Sequence, residues 1–173
     1  MRGQNTWKGI AAGMVGGLAA TFVMTGFQTA WSKASQALSE EEDEQKNQDS
    51  ESENSTATVA TRIANIAGYE LSREQKQKGG MIVHYAFGTL MGGLYGMIQE
   101  NTSRRTRQRP VRSGLEFGSA LFAGADEVVL PALALADGTT SAPLSAHAYG
   151  LVSHMVYGAT MGIVSKAARN AMG

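Results

Sequence analysis

The sequence predicts an all-α fold: a transmembrane four-helix bundle built from two repeated helical hairpins. Three observations lead there. Four long stretches carry few charges or none, and the charge is collected between them. The second and fourth stretches share one spaced pattern of glycine, histidine and methionine. Polar residues recur on one face of a soluble amphipathic helix, whereas here they are gathered into the connecting segments.

Composition sets the bounds. The 173 residues suit one domain. Charged residues make up 17%, below the roughly 25% of ordinary soluble domains, and the 21 glycines are well above the usual share. The absence of cysteine from this chain excludes disulfides, thiolate metal sites and cysteine nucleophiles within it. Fifteen basic side chains balance fifteen acidic ones, which argues against a nucleic-acid partner.

The first predicted span is 9–31, uncharged from Gly9 to Trp31. Trp7 and Trp31 bracket it, roughly 36 Å apart along a helix, close to the spacing of the two interfaces of a bilayer. Residues 38–57 follow, polar, acidic and without aromatics. Such a composition buries too little apolar surface to order itself, so the segment reads as a flexible loop. Over 57–71 a helical stripe returns, with Val59, Ile63, Ile66 and Ala67 on one face, as in a helix lying on a membrane surface. Ser72-Arg-Glu-Gln75 is a capping-box pattern that opens the next helix.

The second span is 79–99, again uncharged. The segment 104–112 then carries five arginines and no acid, and Pro110 interrupts any helix there. The third span, 113–135, is apolar apart from Glu116, Asp126 and Glu127, with Pro131 expected to kink or end it. Asp137-Gly138 and Pro143 mark a turn, and 143–165 is the fourth span. Lys and Arg concentrate on the cytoplasmic side of membrane proteins. Arg2, Lys8, the arginine segment, Lys166 and Arg169 fall on one side of a four-span chain. Both termini are therefore expected on the cytoplasmic side, with the lipid bilayer as principal partner.

Gly80, His84, Phe87, Gly88, Met91 and Gly92 reappear 70 residues later as Gly150, His154, Tyr157, Gly158, Met161 and Gly162. The first and third stretches match more weakly at an offset of 105, through Gly9/Gly114, Gly13/Gly118, Ala20/Ala125 and Val23/Val128. Lipid tails give helices no hydrophobic reason to associate, so close backbone approach must supply the attraction. Gly9 and Gly13, Gly88, Gly92 and Gly96, Gly114 and Gly118, and Gly150, Gly158 and Gly162 are the expected helix-packing positions. The same faces could instead dock a second copy or another membrane protein.

His84, Asp126, Glu127, His147 and His154 lie inside the spans. Counted along ideal helices from the cytoplasmic edge, Asp126 lies ~21 Å, His154 ~18 Å and His84 ~24 Å up, within ~6 Å of one level. A carboxylate at mid-membrane costs roughly 2.5–3.5 kcal/mol on insertion scales and persists only against protein, water or a partner. Asp126 and Glu127 diverge by about 100° on an α-helix and cannot share one partner. The cluster reads as a proton-responsive site, since histidine titrates near neutrality, or as hydrogen bonds that pin the bundle. No cofactor is required by the pattern. His84, His154 and Asp126 could ligate a metal, or the histidines a haem, but no ligand spacing such as His-Glu-x2-His is present. No catalytic residue stands out. Tyr85, Tyr95, Tyr149 and Tyr157 suit interfacial anchoring more often than internal hydrogen bonding. Met81, Met91, Met97, Met155 and Met161 suit gap filling.

Two other readings compete. Mean hydropathy is −0.17, low for a membrane protein, which favours a soluble helical protein. Residues 1 to about 37 could also form a secretory signal, although the apolar run exceeds the usual 7–15 residues.

The segments H84YAFGTLMGGLYG96, A123GADEVVLPAL133 and H154MVYGATMG162 together resemble the YagU-like family of small bacterial inner-membrane proteins, a domain of unknown function. The resemblance spans about 9–165 without the acidic loop. It implies a multi-span inner-membrane protein with His84, Asp126-Glu127 and His154 at recurring polar positions, and it implies no reaction.

Overall fold

The computed structural model describes residues 5–38, 56–129 and 144–173, with 38 and 126–129 as backbone only. Every regular element among the described residues is helical, so the all-α class expected from the sequence is the class found. The acidic run 39–55, Pro131 and the turn around 136–142 lie outside the described residues.

Helix α1 runs unbroken over Thr6–Leu38. Three of its four threonine hydroxyls are satisfied by its own backbone. Thr21, Thr25 and Thr29 each donate to the carbonyl four residues earlier, at 2.8, 2.9 and 2.9 Å. Such bonding lets a polar side chain sit in a helix without water. Helix α2 covers 56–66 and ends at Gly68, whose φ of +81° is the left-handed conformation glycine tolerates. It docks through Ala57 and Ala60 onto Gly79 and Gly80. Ile63 and Ile66 remain exposed, so the apolar stripe of 57–71 faces outward while the small residues make the contact.

Helix α3 spans Arg73–Glu100 and opens with the expected capping box. Gln75 N–H donates to Ser72 Oγ at 3.3 Å, and Ser72 N–H donates to Gln75 Oε1 at 2.8 Å. A single turn, α4 (Arg104–Arg107), precedes α5 (Pro110–Leu121), with Pro110 in the first turn, where its missing N–H costs nothing. The backbone then changes pitch: Phe122–Val129 is π-helical. This corrects the expectation of a regular α-helix through Asp126 and Glu127. The change begins where the helix's contact with its neighbour passes from backbone to the Phe122 ring. Helix α6 covers Leu144–Ala171.

α1 packs against α3 on one flank and α6 on another, and α5 packs on the far side of α6. The first seam is glycine against glycine. A Cβ on Gly9 would strike the Gly96 carbonyl, one on Gly13 the Gly92 carbonyl, and one on Gly17 the Gly88 carbonyl. The helices are antiparallel and backbone touches backbone, a geometry that favours Cα–H···O contacts. Gly16, on the next face of α1, abuts Ser165 and Met161 of α6. The α5–α6 seam runs through Pro110 with Gly162, Gly114 with Gly158, and Gly118 with the His154 carbonyl, and ends with the Phe122 ring over Gly150. Each of these glycines lies against a neighbouring helix.

Between the seams sit Ala20, Met24, Tyr95, Tyr157 and Met161, with Phe117 and Leu121 against them. The outer surface is the reverse: Met14, Val15, Leu18, Phe22, Ile82, Leu90 and Leu94 are exposed. Two helices among the described residues are long and apolar enough to cross a bilayer, Thr6–Ala37 and Arg73–Glu100. They contain the predicted spans 9–31 and 79–99. α6 has the length but not the apolarity, because its histidines and serines dilute it.

Candidate functional site

The antiparallel seams gather the start of α1, the end of α3, α4, the start of α5 and the end of α6 at one end of the molecule, here the basal end. Glu100 terminates α3 there and is only 5% exposed. A carboxylate is unfavourable at a helix C-terminus, where the backbone dipole is negative. It is held by two guanidinium groups: Arg169 Nε donates to Oε1 at 2.5 Å, and an Arg107 terminal nitrogen lies 3.6 Å from Oε2. Gly9 leaves the room for the Glu100 side chain. Lys8 Nζ donates to the Met172 carbonyl at 2.8 Å and to that of Gly173 at 3.2 Å. Lys166 Nζ reaches the Gln108 carbonyl at 3.5 Å. α3, α4 and α6 thus meet at one carboxylate. The sequence signal was present: an acid between an apolar run and five arginines, at the wrong end of a helix for its charge.

A turn and more above lie two buried tyrosines. Tyr157 O–H donates to the Gly88 carbonyl at 2.6 Å and ties α6 to the first seam. The Tyr95 and Ser113 hydroxyls share a hydrogen bond of 2.8 Å between α3 and α5. The Tyr95 ring also meets Phe117 edge-on, with centroids 5.4 Å apart. These two tyrosines are internal cross-links, the use given less weight from sequence. Tyr149 pairs with Trp31 at 6.0 Å.

Farther toward the other end are the histidines. His84 lies one turn before Gly88 on α3 and His154 one turn before Gly158 on α6, the two helices that the Tyr157–Gly88 bond joins. His154 Nδ1 is bonded to the Gly150 carbonyl at 2.9 Å, and its ring lies 5.6 Å from Phe122. A carbonyl can only accept, so Nδ1 carries the proton and Nε2 bears the lone pair of the neutral ring. His84 Nε2 is buried and has no hydrogen-bond partner among the described residues. Its ring meets Tyr85 edge-on at 6.1 Å. Ser153, fully buried beside His154 in sequence, likewise leaves its Oγ unbonded among the described residues. Unsatisfied buried polar atoms are uncommon in folded proteins, and two of them fall in this upper interior.

Of the sequence-predicted cluster, His84 lies in α3 and His154 in α6. His147 is half-buried two turns before His154 on α6. Asp126 and Glu127 lie in the π-helical segment, and their side chains fall outside the described residues. Among the described residues no group of three or more His, Cys, Asp or Glu side chains is placed to hold a metal ion.

Comparison of the chain with family models, curated proteins and solved structures finds no match.

Proposed function

We propose that the chain is an integral membrane protein, a transmembrane four-helix bundle with both termini on the cytoplasmic side of a bacterial inner membrane, and that the His84–His154 pair is its proton-responsive element. One observation carries the first part. Glycines and the bonded hydroxyls of Thr21, Tyr95 and Tyr157 face inward, while large apolar side chains face outward, Phe22 at 71%, Ile82 at 69% and Leu90 at 62% exposure. Water would oppose that arrangement and lipid favours it. The YagU-like resemblance belongs to the same proposal.

The seams also support the two-hairpin reading, with one change of register. If α3 corresponds to α6 at 70 residues, the contacts equate Gly13 with Pro110, Gly17 with Gly114 and Thr21 with Gly118. That is an offset of 97 rather than 105. The two differ by eight residues, about two helical turns, so both leave the small residues on the same face.

Two protonated imidazoles within electrostatic range repel, so the pair couples proton uptake to the α1–α3 and α5–α6 seams that hold it. An assembly role through the glycine faces is less well supported, because those faces are occupied within the chain.

The test has two arms. The protein is expected to pellet with membranes and to resist extraction by alkaline carbonate; release into the supernatant as a folded monomer contradicts the reading. In micelles, histidine ring NMR signals are expected to show that the titration of His154 moves in the His84→Gln variant. Independent titration contradicts the proton-responsive pair.

A further inference from the structure

The corner between α4 and α5 holds a cavity of about 340 Å³, lined by Arg105, Thr106, Arg109, Arg112, Ser113 and Glu116. Its size lies at the low end of small-ligand sites. Three arginines face one glutamate there, a net charge of +2. Glu116 is already engaged by Arg112, at 2.8 Å from Nε. Arg105 and Arg109 have no ion pair among the described residues. The corner is also held in place. Arg107, next to the cavity, is drawn to Glu100, and Lys166 binds the Gln108 carbonyl. Ser113 is fixed by its bond with Tyr95. Val111, beside the rim, is an exposed apolar side chain.

Two uncommitted guanidinium groups, two hydroxyl-bearing residues and a neighbouring apolar surface suit a phosphate ester attached to an apolar tail. Guanidinium forks match phosphate oxygens in bidentate fashion. Basic pockets at the cytoplasmic ends of membrane helices attract anionic headgroups. We infer that this cavity binds the phosphate headgroup of an anionic phospholipid, with Arg105 and Arg109 as its ligands. The inference rests on the membrane reading above and adds to it a lipid class and a site.

The test is native mass spectrometry of the detergent-solubilised full chain with equal amounts of phosphatidylglycerol and phosphatidylcholine. Retention of phosphatidylglycerol is expected to exceed that of phosphatidylcholine by about fivefold or more, the factor a single arginine near an anionic surface supplies. The R105Q/R109Q double variant is expected to lose the preference, while R62Q/R73Q, in α2 and at the start of α3, keeps it. Circular dichroism checks that each variant is folded. Equal retention of both lipids by the wild-type chain overturns the proposal, as does an undiminished preference in R105Q/R109Q. Displacement of the lipid by millimolar inorganic phosphate would identify free phosphate as the ligand and overturn the lipid assignment. A chain that resists carbonate extraction but shows no preference defeats this proposal alone; one that is extracted defeats the membrane reading with it.

Discussion

The two ends of this molecule handle ionisable side chains in opposite ways. At the basal end each described interior charge is met: Glu100 by Arg169 and Arg107, and Lys8 by terminal carbonyls of the chain. In the upper interior lie His84 and His154, and His84 has a buried nitrogen without a hydrogen bond among the described residues. The basal end thus has the character of a clasp, and the upper interior holds the pair we propose to be proton-responsive. Breaking a satisfied ion cluster leaves a buried charge unpaired, which is costly. Under the proposed reading, changing His84 costs little in stability and alters the titration of His154 instead.

The largest effect expected is on the seam that joins the two ends. Gly92→Leu would drive a side chain into the Gly13 carbonyl and the Gly17 backbone. The penalty should exceed about 3 kcal/mol, read as loss of folded, monodisperse protein in detergent. Next comes the clasp. Glu100→Gln removes the charge that Arg169 and Arg107 share and should destabilise by about 1.5–3 kcal/mol, measured by thermal unfolding in micelles. An unchanged transition would mean that the basal end is no clasp.

Tyr157→Phe is smaller. It deletes one hydrogen bond to the Gly88 carbonyl and keeps the ring, so about 1 kcal/mol is expected in the same assay. Smallest in stability is His84→Gln, which should lie within about 0.5 kcal/mol of wild type while shifting the titration of His154. A strongly destabilised His84→Gln variant with an unmoved His154 would make the upper interior as structural as the basal end.

Much of this was legible in the sequence because glycine spacing is an unambiguous signal. Gly88, Gly92 and Gly96 can form a cross-helix face only if the segment is helical, and the capping box at Ser72 fixes where that helix begins. The adjoining glycines Gly16 and Gly17, which give α1 a second packing flank and the top of its first, were passed over among the other small residues. The partner register was not legible, since a slide of two turns keeps every glycine on its face. Glu100 stands just past the second span, and its burial depends on Gly9 and Arg169, distant in sequence. The pitch change at Phe122 has no periodicity signature, because alanine and glycine accept either turn. The tyrosines were ambiguous for a related reason. An amphipathic ring suits an interface and a buried cross-link equally, and only the position of Gly88 and Ser113 decides.

The central claim is that the outward apolar faces meet lipid. The absence of native cysteine permits single-cysteine spin labels at Phe22 and Leu90, with Arg104 as an aqueous reference. In reconstituted vesicles, relaxation at 22 and 90 should respond strongly to dissolved oxygen and weakly to a water-soluble nickel chelate, with the opposite pattern at 104. Strong nickel accessibility at 22 and 90 would place those faces in water and contradict the account.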